Sequence, residues 1–317
     1  MTRSDVDALV IGAGVSGLTT AVSIAELGKR VRIWAADPPQ ATTSIAAGAM
    51  WGPYLVEPFD RVAVWSRHSL DVLRKLAEQP ETGVRLLAGI EASRTPADPP
   101  DWADQLDGFQ MCDPGELPDG FATGWRFVAP LVDMPIYLAY LQQRFISSGG
   151  VIQTKRLSTL AEATAPVVVN CTGIGARDLV PDPQLVPIRG QLVVVSNPGI
   201  TEFFSEDTGL SPNLLHFAPH GDTVVLGGQA APGEWSMEPD LDLAAAIVAR
   251  CADVEPRLRD APVIEHRVGL RPTRPEIRVE AEQTEGGLLI HNYGHGGAGV
   301  TLSWGCAAEV TALALGA

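Results

Sequence analysis

Ala8-Leu9-Val10-Ile11-Gly12-Ala13-Gly14-Val15-Ser16-Gly17 is the stretch on which the fold turns. Four apolar residues in a row suit a parallel strand buried on both faces. The strand runs into a GxGxxG turn, and a helix follows to about Leu27 with Ala21, Ile24 and Ala25 on one face. Gly28 stands where a helix end wants a left-handed residue. Lys29-Arg30-Val31-Arg32-Ile33-Trp34 then reads as a second strand. In such a unit Gly12 permits the tight turn. Gly14 admits backbone close to a pyrophosphate, and Gly17 lets helix and strand touch. Val15 and Ser16 open the helix, whose free N–H groups suit a phosphate. A dinucleotide is therefore the expected ligand. Asp37 is the one candidate for its ribose hydroxyls; a turn aspartate before Pro38-Pro39 is the other reading. No Arg or Lys directly follows it, which speaks against a 2′-phosphate and hence against NADP.

Outward from this unit, Asp133 to Ser148 predicts a helix, Val151-Ile152-Gln153 a strand, and Pro166 to Gly173 a second buried strand. Its end, from Asn170 through Thr172 and Gly173, belongs near the ligand, because doubly wound sheets bind at strand carboxyl ends. From 186 to 283 the grammar changes. Gln191–Ser196, Asp222–Gly228 and Val263–Gly269 look like strands of a mixed or antiparallel sheet, with one helix over Leu241–Ala252. Residues 93–119, rich in proline, predict an exposed loop and a candidate lid. The last segment returns to the first pattern: the strand Leu288–Asn292, a glycine turn through Gly294, Gly296, Gly297 and Gly299, and a helix from about Thr301. That second helix start suits a group that gains negative charge in turnover, such as a reduced flavin, better than it suits NAD.

The remaining composition excludes more than it selects. The 317 residues carry 23 Lys and Arg against 38 Asp and Glu, a net charge of −15, which is the wrong sign for nucleic acid. No apolar run approaches the ~18 residues of a membrane span, and the start lacks the basic and apolar regions of a secretory signal. Cys112, Cys171, Cys251 and Cys306 lack CxxC spacing, so no zinc or dithiol site is expected. One or two bridges among them stay possible, though a reducing cytoplasm is the simplest compartment. The pairs His216/His220 and His291/His295 fall in strands or loops, where i, i+4 spacing does not join side chains, and no metal is expected. The C-terminus is not a peroxisomal address.

Six blocks, in order along the whole chain, resemble the D-amino-acid oxidase family. They are Val10–Leu18; Thr42-Thr43-Ser44-Ile45-Ala46-Ala47-Gly48-Ala49-Met50-Trp51-Gly52-Pro53-Tyr54; Val169–Gly173; Pro187-Ile188-Arg189-Gly190-Gln191; Gly269-Leu270-Arg271-Pro272-Thr273-Arg274-Pro275; and His291-Asn292-Tyr293-Gly294-His295-Gly296-Gly297. The last two are the most specific. The resemblance implies an α/β (overall α+β) architecture. A Rossmann-like FAD-binding domain with a parallel sheet takes 1–55, 125–185 and 284–317. A substrate domain with a mixed or antiparallel sheet takes 56–124 and 186–283.

It also implies the chemistry. FAD would accept a hydride from the Cα of a neutral D-amino acid, the imino product would hydrolyse to a 2-oxo acid and ammonia, and O2 would be reduced to hydrogen peroxide. Arg271 would bind the substrate carboxylate, a role its planar fork suits, and the Gly297 carbonyl the amine. Two fixed points would aim the Cα–H at flavin N5 and select the D isomer. No general base is nominated. Arg274 is expected in a structural ion pair. For FAD, Gly12, Gly14 and Gly17 would line the pyrophosphate, and Thr42, Thr43 and Ser44 would bond phosphate or ribitol, with helix capping as the plain alternative for Thr43 and Ser44. Gly48, Ala49 and Met50 would run along the isoalloxazine, and Gly296, Gly297, Gly299 and Thr301 would close over its pyrimidine end.

The chain departs from the family in the substrate region. The family's tyrosines are missing there, and His216 takes the main position, with a protonation state that would vary near neutral pH or, alternatively, with its ring in solvent. Gly52 replaces a pocket glutamine and, with Ala218, suggests a roomier pocket. D-aspartate oxidase and glycine- or sarcosine-type oxidase are the alternative enzymes, and a flavin-binding sensor of small carboxylates is the non-enzyme alternative. The sequence leaves open the preferred D-amino acid, the affinity for FAD and whether the chain forms a homo-oligomer.

Overall fold

The computed structural model describes residues 5–53, 55–206 and 215–316. The N-terminal unit is β1 (Ala8–Ile11), α1 (Val15–Ala25) and β2 (Val31–Ala35). Then come α2 (Phe59–Leu76), β3 (Val84–Ser93), β4 (Asp107–Met111), β5 (Thr123–Val132), α3 (Met134–Ser147), β6 (Val151–Thr154), β7 (Val167–Asn170) and the short α4 (Ala176–Leu179). The rest is β8 (Val186–Ser196), β9 (Phe203–Glu206), β10 (His216–His220), β11 (Thr223–Gly227), β12 (Ala231–Pro232), α5 (Leu241–Val254), β13 (Val263–Thr284), β14 (Gly287–His295) and α6 (Gly299–Leu315).

Among the described residues all the strands join one 14-stranded sheet, ordered β4-β5-β3-β9-β10-β11-β8-β13-β14-β7-β1-β2-β6, with β12 attached beside β8. From β14 to β6 every neighbouring pair is parallel. On the other side the pairs are antiparallel, except for β3 with β9. β13 joins the two regimes. Its first half pairs with β8, from Val263 to Thr273, and its second half with β14, from Arg278 to Thr284.

The first turn forms as its glycines dictate. Gly12 has φ 109° and lies so close to the end of β7 that a Cβ would sit 2.3 Å from the Cys171 carbonyl oxygen. A Cβ at Gly17 would lie 2.1 Å from the Gly12 oxygen. With only small and aliphatic side chains on its inner faces, α1 packs between α3 and α6, and Leu18, Ala21 and Val22 are fully buried. Burying a leucine completely contributes roughly 1.5–3 kcal/mol. Gly28 is left-handed, as a helix end requires.

Three placements differ from the sequence expectation. β5 pairs with β3 and β4 in the antiparallel half, although 125–132 reads as part of the FAD-binding domain. α2 packs on α6 of the parallel half, although 59–76 falls within the predicted substrate domain. The proline-rich stretch 93–119 is not all loop: Ala103 and Leu106 are buried, and β4 forms an edge strand. Its prolines bracket these elements rather than unfold them.

Candidate active site

One cavity of about 890 Å³ runs along the carboxyl ends of the parallel strands and on into the antiparallel half. The α1 start, Gly14 to Ser16, opens into it. That helix has no side-chain cap of its own; instead the Val15 N–H donates to Ser44 Oγ at 3.0 Å. Ser44 is therefore a cap, but for a helix 29 residues earlier in the chain, and it carries the 42–44 turn into the cavity beside Gly14. Thr42 Oγ1 donates to the Pro39 carbonyl at 2.8 Å, which fixes the same turn. The second helix start, at Gly299 in α6, also lacks a side-chain cap and lines the cavity with Gly296 and Gly297.

Near Asp37 the wall is formed by Trp34 and by residues that follow β6. Lys155 Nζ stands 3.6 Å from the Trp34 ring centre, and Arg156 lies 3.6 Å from Asp37. A cation therefore does attend Asp37, although none directly follows it in the sequence. β6 pairs in parallel with β2, Thr154 against Ala35, and delivers two cations from 118 residues and more further on. At the end of β7, Thr172 Oγ1 donates to Asn170 Oδ1 at 2.7 Å, so Thr172 and Gly173 are held at the cavity wall.

Arg271 projects from β13 into this cavity. Its guanidinium lies flat against β8: a Cβ at Gly190 would be 2.5 Å from Nη1 and 2.6 Å from Nη2. On its other flank a Cβ at Gly297 would be 3.7 Å from Cδ. Nη1 donates to the Gln229 carbonyl at 2.9 Å. The strand is anchored three residues on. Arg274 Nε donates to Asp182 Oδ2 at 2.8 Å, and the Tyr293 hydroxyl donates to the same oxygen at 2.7 Å. Arg274 accordingly sits in an ion pair with a buried carboxylate, outside the cavity lining.

His216 does not point to solvent. β10 lies between β9 and β11, and the ring packs on Gly227, where a Cβ would fall 1.7 Å from Cε1. Its Nε2 is 3.0 Å from the place of a Cβ on Gly48. Burial, helped by the charge of Arg271, pushes the His216 pKa down to about 4. The ring is therefore neutral at pH 7, which corrects the expectation of a group titrating near neutrality. The same cavity is also lined by Leu192, Phe203, Ser205, Ala218 and Ala230, Ser205 being the β9 partner of His216.

The candidate residues Gly12, Gly14, Val15, Ser16, Asp37, Thr42, Thr43, Ser44, Gly48, Ala49, Met50, Thr172, Gly173, His216, Arg271, Gly296, Gly297, Gly299 and Thr301 all line this one cavity. Two others do not. Gly17 faces the Gly12 carbonyl and serves helix–strand contact. Gly52 is bonded through its backbone to Thr301 Oγ1 and faces the Trp102 ring, so its lack of a side chain adds no room to the pocket. Pro53 follows it, and Tyr54 lies outside the described residues. The sequence reading missed His295. It is 3% exposed, lines the cavity, and holds Asn292 Oδ1 at 3.1 Å, while Asn292 donates to Thr20 Oγ1 at 3.1 Å. A polar residue inside a glycine turn carries no sequence signal of burial.

Two helix starts facing one cavity, a glycine cradle and a carboxylate at the strand end fit an extended dinucleotide with a second, redox-active ring. Residues 7–313 match the FAD dependent oxidoreductase family, and the chain belongs to it. FAD is its cofactor, and the protein is an enzyme. Among its relatives, a D-amino-acid oxidase of Rubrobacter xylanophilus is 49% identical over 97% of this chain and 95% of its own. A D-amino-acid oxidase of Streptomyces coelicolor is 46% identical over 98% and 97%. The fold is similar to that of glycine oxidase from Geobacillus kaustophilus, with a TM-score of 0.83 at 19% identity, over 98% of this chain and 94% of that one.

Proposed function

We propose that the enzyme oxidatively deaminates neutral D-amino acids, giving 2-oxo acid, ammonia and hydrogen peroxide. One observation carries the reading: Arg271 shares a single cavity with the glycine cradle and is clasped between Gly190 and Gly297. FAD, held by the glycine cradle and the 42–44 turn, would supply the hydride acceptor and the route for electrons to O2. The chain supplies position. Arg271 takes the α-carboxylate in a paired, charge-assisted contact. The Gly297 carbonyl accepts from the amine, which must reach it neutral for Cα–H cleavage, and no side chain is assigned as base. With carboxylate and amine fixed, only one hand of substrate presents its Cα hydrogen, which favours D over L. Neutral His216 offers a hydrogen bond beside Arg271 without adding charge.

The wall near Arg271 supports a neutral substrate side chain. Ile188, the β8 partner of Arg271, is apolar, as are Leu192, Phe203, Ala218 and Ala230 in the antiparallel part of the lining, where Ser205 is polar but uncharged. The other cations among the described lining residues, Lys155 and Arg156, are engaged with Trp34 and Asp37. A side-chain carboxylate would thus meet no second cation, which speaks against D-aspartate. We assign the parallel half to FAD and the antiparallel half to substrate. A reducing cytoplasm is the compartment proposed, consistent with four unbridged cysteines. Among the described residues no helix is long and apolar enough to cross a membrane.

The test is anaerobic reduction. The purified holoenzyme is mixed under nitrogen with D-alanine, D-proline, D-phenylalanine, D-aspartate or glycine, and its yellow absorption is followed. Bleaching by the neutral D-amino acids and not by their L forms is expected. A flavin that stays oxidised with all five would leave only a sensor of small carboxylates. Reduction by D-aspartate alone would move the substrate class.

A further inference from the structure

Residues on β8 alternate between the two faces of the sheet. Ile188, Gly190 and Leu192 look into the cavity. Arg189 and Gln191 look away from it and are buried, at 4% and 0% exposure. Neither has a role in the reading above. Arg189 makes four hydrogen bonds, all to neutral oxygens. Nε donates to the Ser236 carbonyl at 2.8 Å, Nη1 to Gln229 Oε1 at 2.8 Å, and Nη2 to Gln191 Oε1 at 2.9 Å and to the Glu238 carbonyl at 2.7 Å. Gln191 adds a bond from Nε2 to the Asp240 carbonyl at 2.6 Å and accepts from the Asp240 N–H at 2.9 Å. β12, within the same segment, pairs with β8 at this point, Ala231 against Arg189.

A buried guanidinium is costly unless its donors are filled. Here they are filled almost wholly by one stretch of chain, 229–240. The first residue of that stretch also holds Arg271. The Gln229 side chain accepts from Arg189, and the Gln229 backbone carbonyl accepts from Arg271 at 2.9 Å. Two guanidinium groups on opposite faces of the sheet therefore meet in one residue. We propose that Arg189 is a positioning residue: by gripping the Gln229 side chain it fixes the carbonyl that aims Arg271 at the substrate carboxylate. Ala230, the next residue, lines the cavity and is held by the same grip.

The inference rests on the reading of Arg271 as the carboxylate site, and the test separates the two. Gln229→Leu cuts the link and leaves the backbone carbonyl in place. Arg189→Met removes the grip itself, and the double variant closes a cycle. The readouts are KM and kcat for D-alanine, the Kd of propanoate read from the flavin absorption of the holoenzyme, and Tm. Propanoate carries the carboxylate without the amine. Gln229→Leu is expected to raise both KM and that Kd by about 3–10-fold, the span of one net hydrogen bond, with kcat at saturation near wild type; because it also takes an acceptor from the buried Arg189 guanidinium, Tm falls whichever role holds, and the affinity ratio decides. The double variant should be no worse than its worse parent. A merely structural role would lower Tm and leave the ratio of propanoate to FAD affinity unchanged. Should Arg189→Met not fold, Gln229→Leu decides alone. Wild-type constants in a folded Gln229→Leu, or losses that multiply in the double variant, would overturn the proposal. A wild type that neither binds propanoate nor is reduced by any D-amino acid removes the reading of Arg271 and this inference together.

Discussion

His216 separates what a sequence can say about one residue from what it cannot. Its place in the family order put it beside Arg271, and the cavity holds both. Its charge state was not legible, because it depends on the ring's burial against Gly227 and on the arginine next to it. With a pKa of about 4 the ring stays neutral through the working range. His216→Ala should therefore raise KM for D-amino acids about 3–10-fold, the loss of one neutral hydrogen bond. The pH profile of kcat/KM between pH 6 and 8 should keep its shape; steady-state kinetics across that range checks both. Arg271→Met removes a charge-assisted contact and should lower kcat/KM by about 100-fold, as a bond to a charged group implies, while FAD stays bound. Asp37 is the reverse case to His216. Its type and position were legible, but its cationic neighbours arrive from β6, far away in the chain.

Among elements, the parallel unit was legible because its periodicity and its glycines agree. α1 ends two residues earlier than its apolar pattern suggested, and β7 is the core of a longer predicted run. α2, β3 and β9 were not singled out, since amphipathic segments without a glycine signature carry no family block here. The edge strand β4 was hidden by the prolines around it. Backbone contacts make the decisive glycines testable. Gly17→Ala drives a Cβ to 2.1 Å from the Gly12 oxygen, a backbone atom that cannot swing aside. Overpacking of this kind costs about 1–3 kcal/mol, so Tm should fall by several degrees, and FAD should be lost more readily on gel filtration. Gly190→Ala meets the Arg271 guanidinium instead, at 2.5 Å. Its expected signature is a raised KM with a near-normal Tm, because a side-chain end is what must move.

For the molecule as a whole, acid sensitivity follows from histidines that burial holds neutral, the half-buried His216 and the buried His220, His291 and His295. Burial lowers His216, His220 and His295 to about 4 each, against an unfolded value of 6.5. Between those values the unfolded chain binds more protons than the native one, so stability is full above about pH 6.5 and is lost as pH falls toward 4. Tm measured by calorimetry should drop across that window, and His295→Gln should make the drop shallower. The shift of pattern near residue 186 coincides with the start of β8 at Val186, in the antiparallel half. What the pattern did not disclose is that both halves share one sheet, because strand pairing is set by contacts between distant segments.

That shared sheet has a mechanical meaning. β13 is 22 residues long, hydrogen-bonded to the antiparallel half along its beginning and to the parallel half along its end, and Arg271 sits just before the changeover. Swinging one half about the other would tear this ladder apart, so substrate capture has no large closing movement to drive. The arginine and the flavin cradle are thus mounted on a common beam, and their separation is set when the chain folds rather than anew in each catalytic cycle.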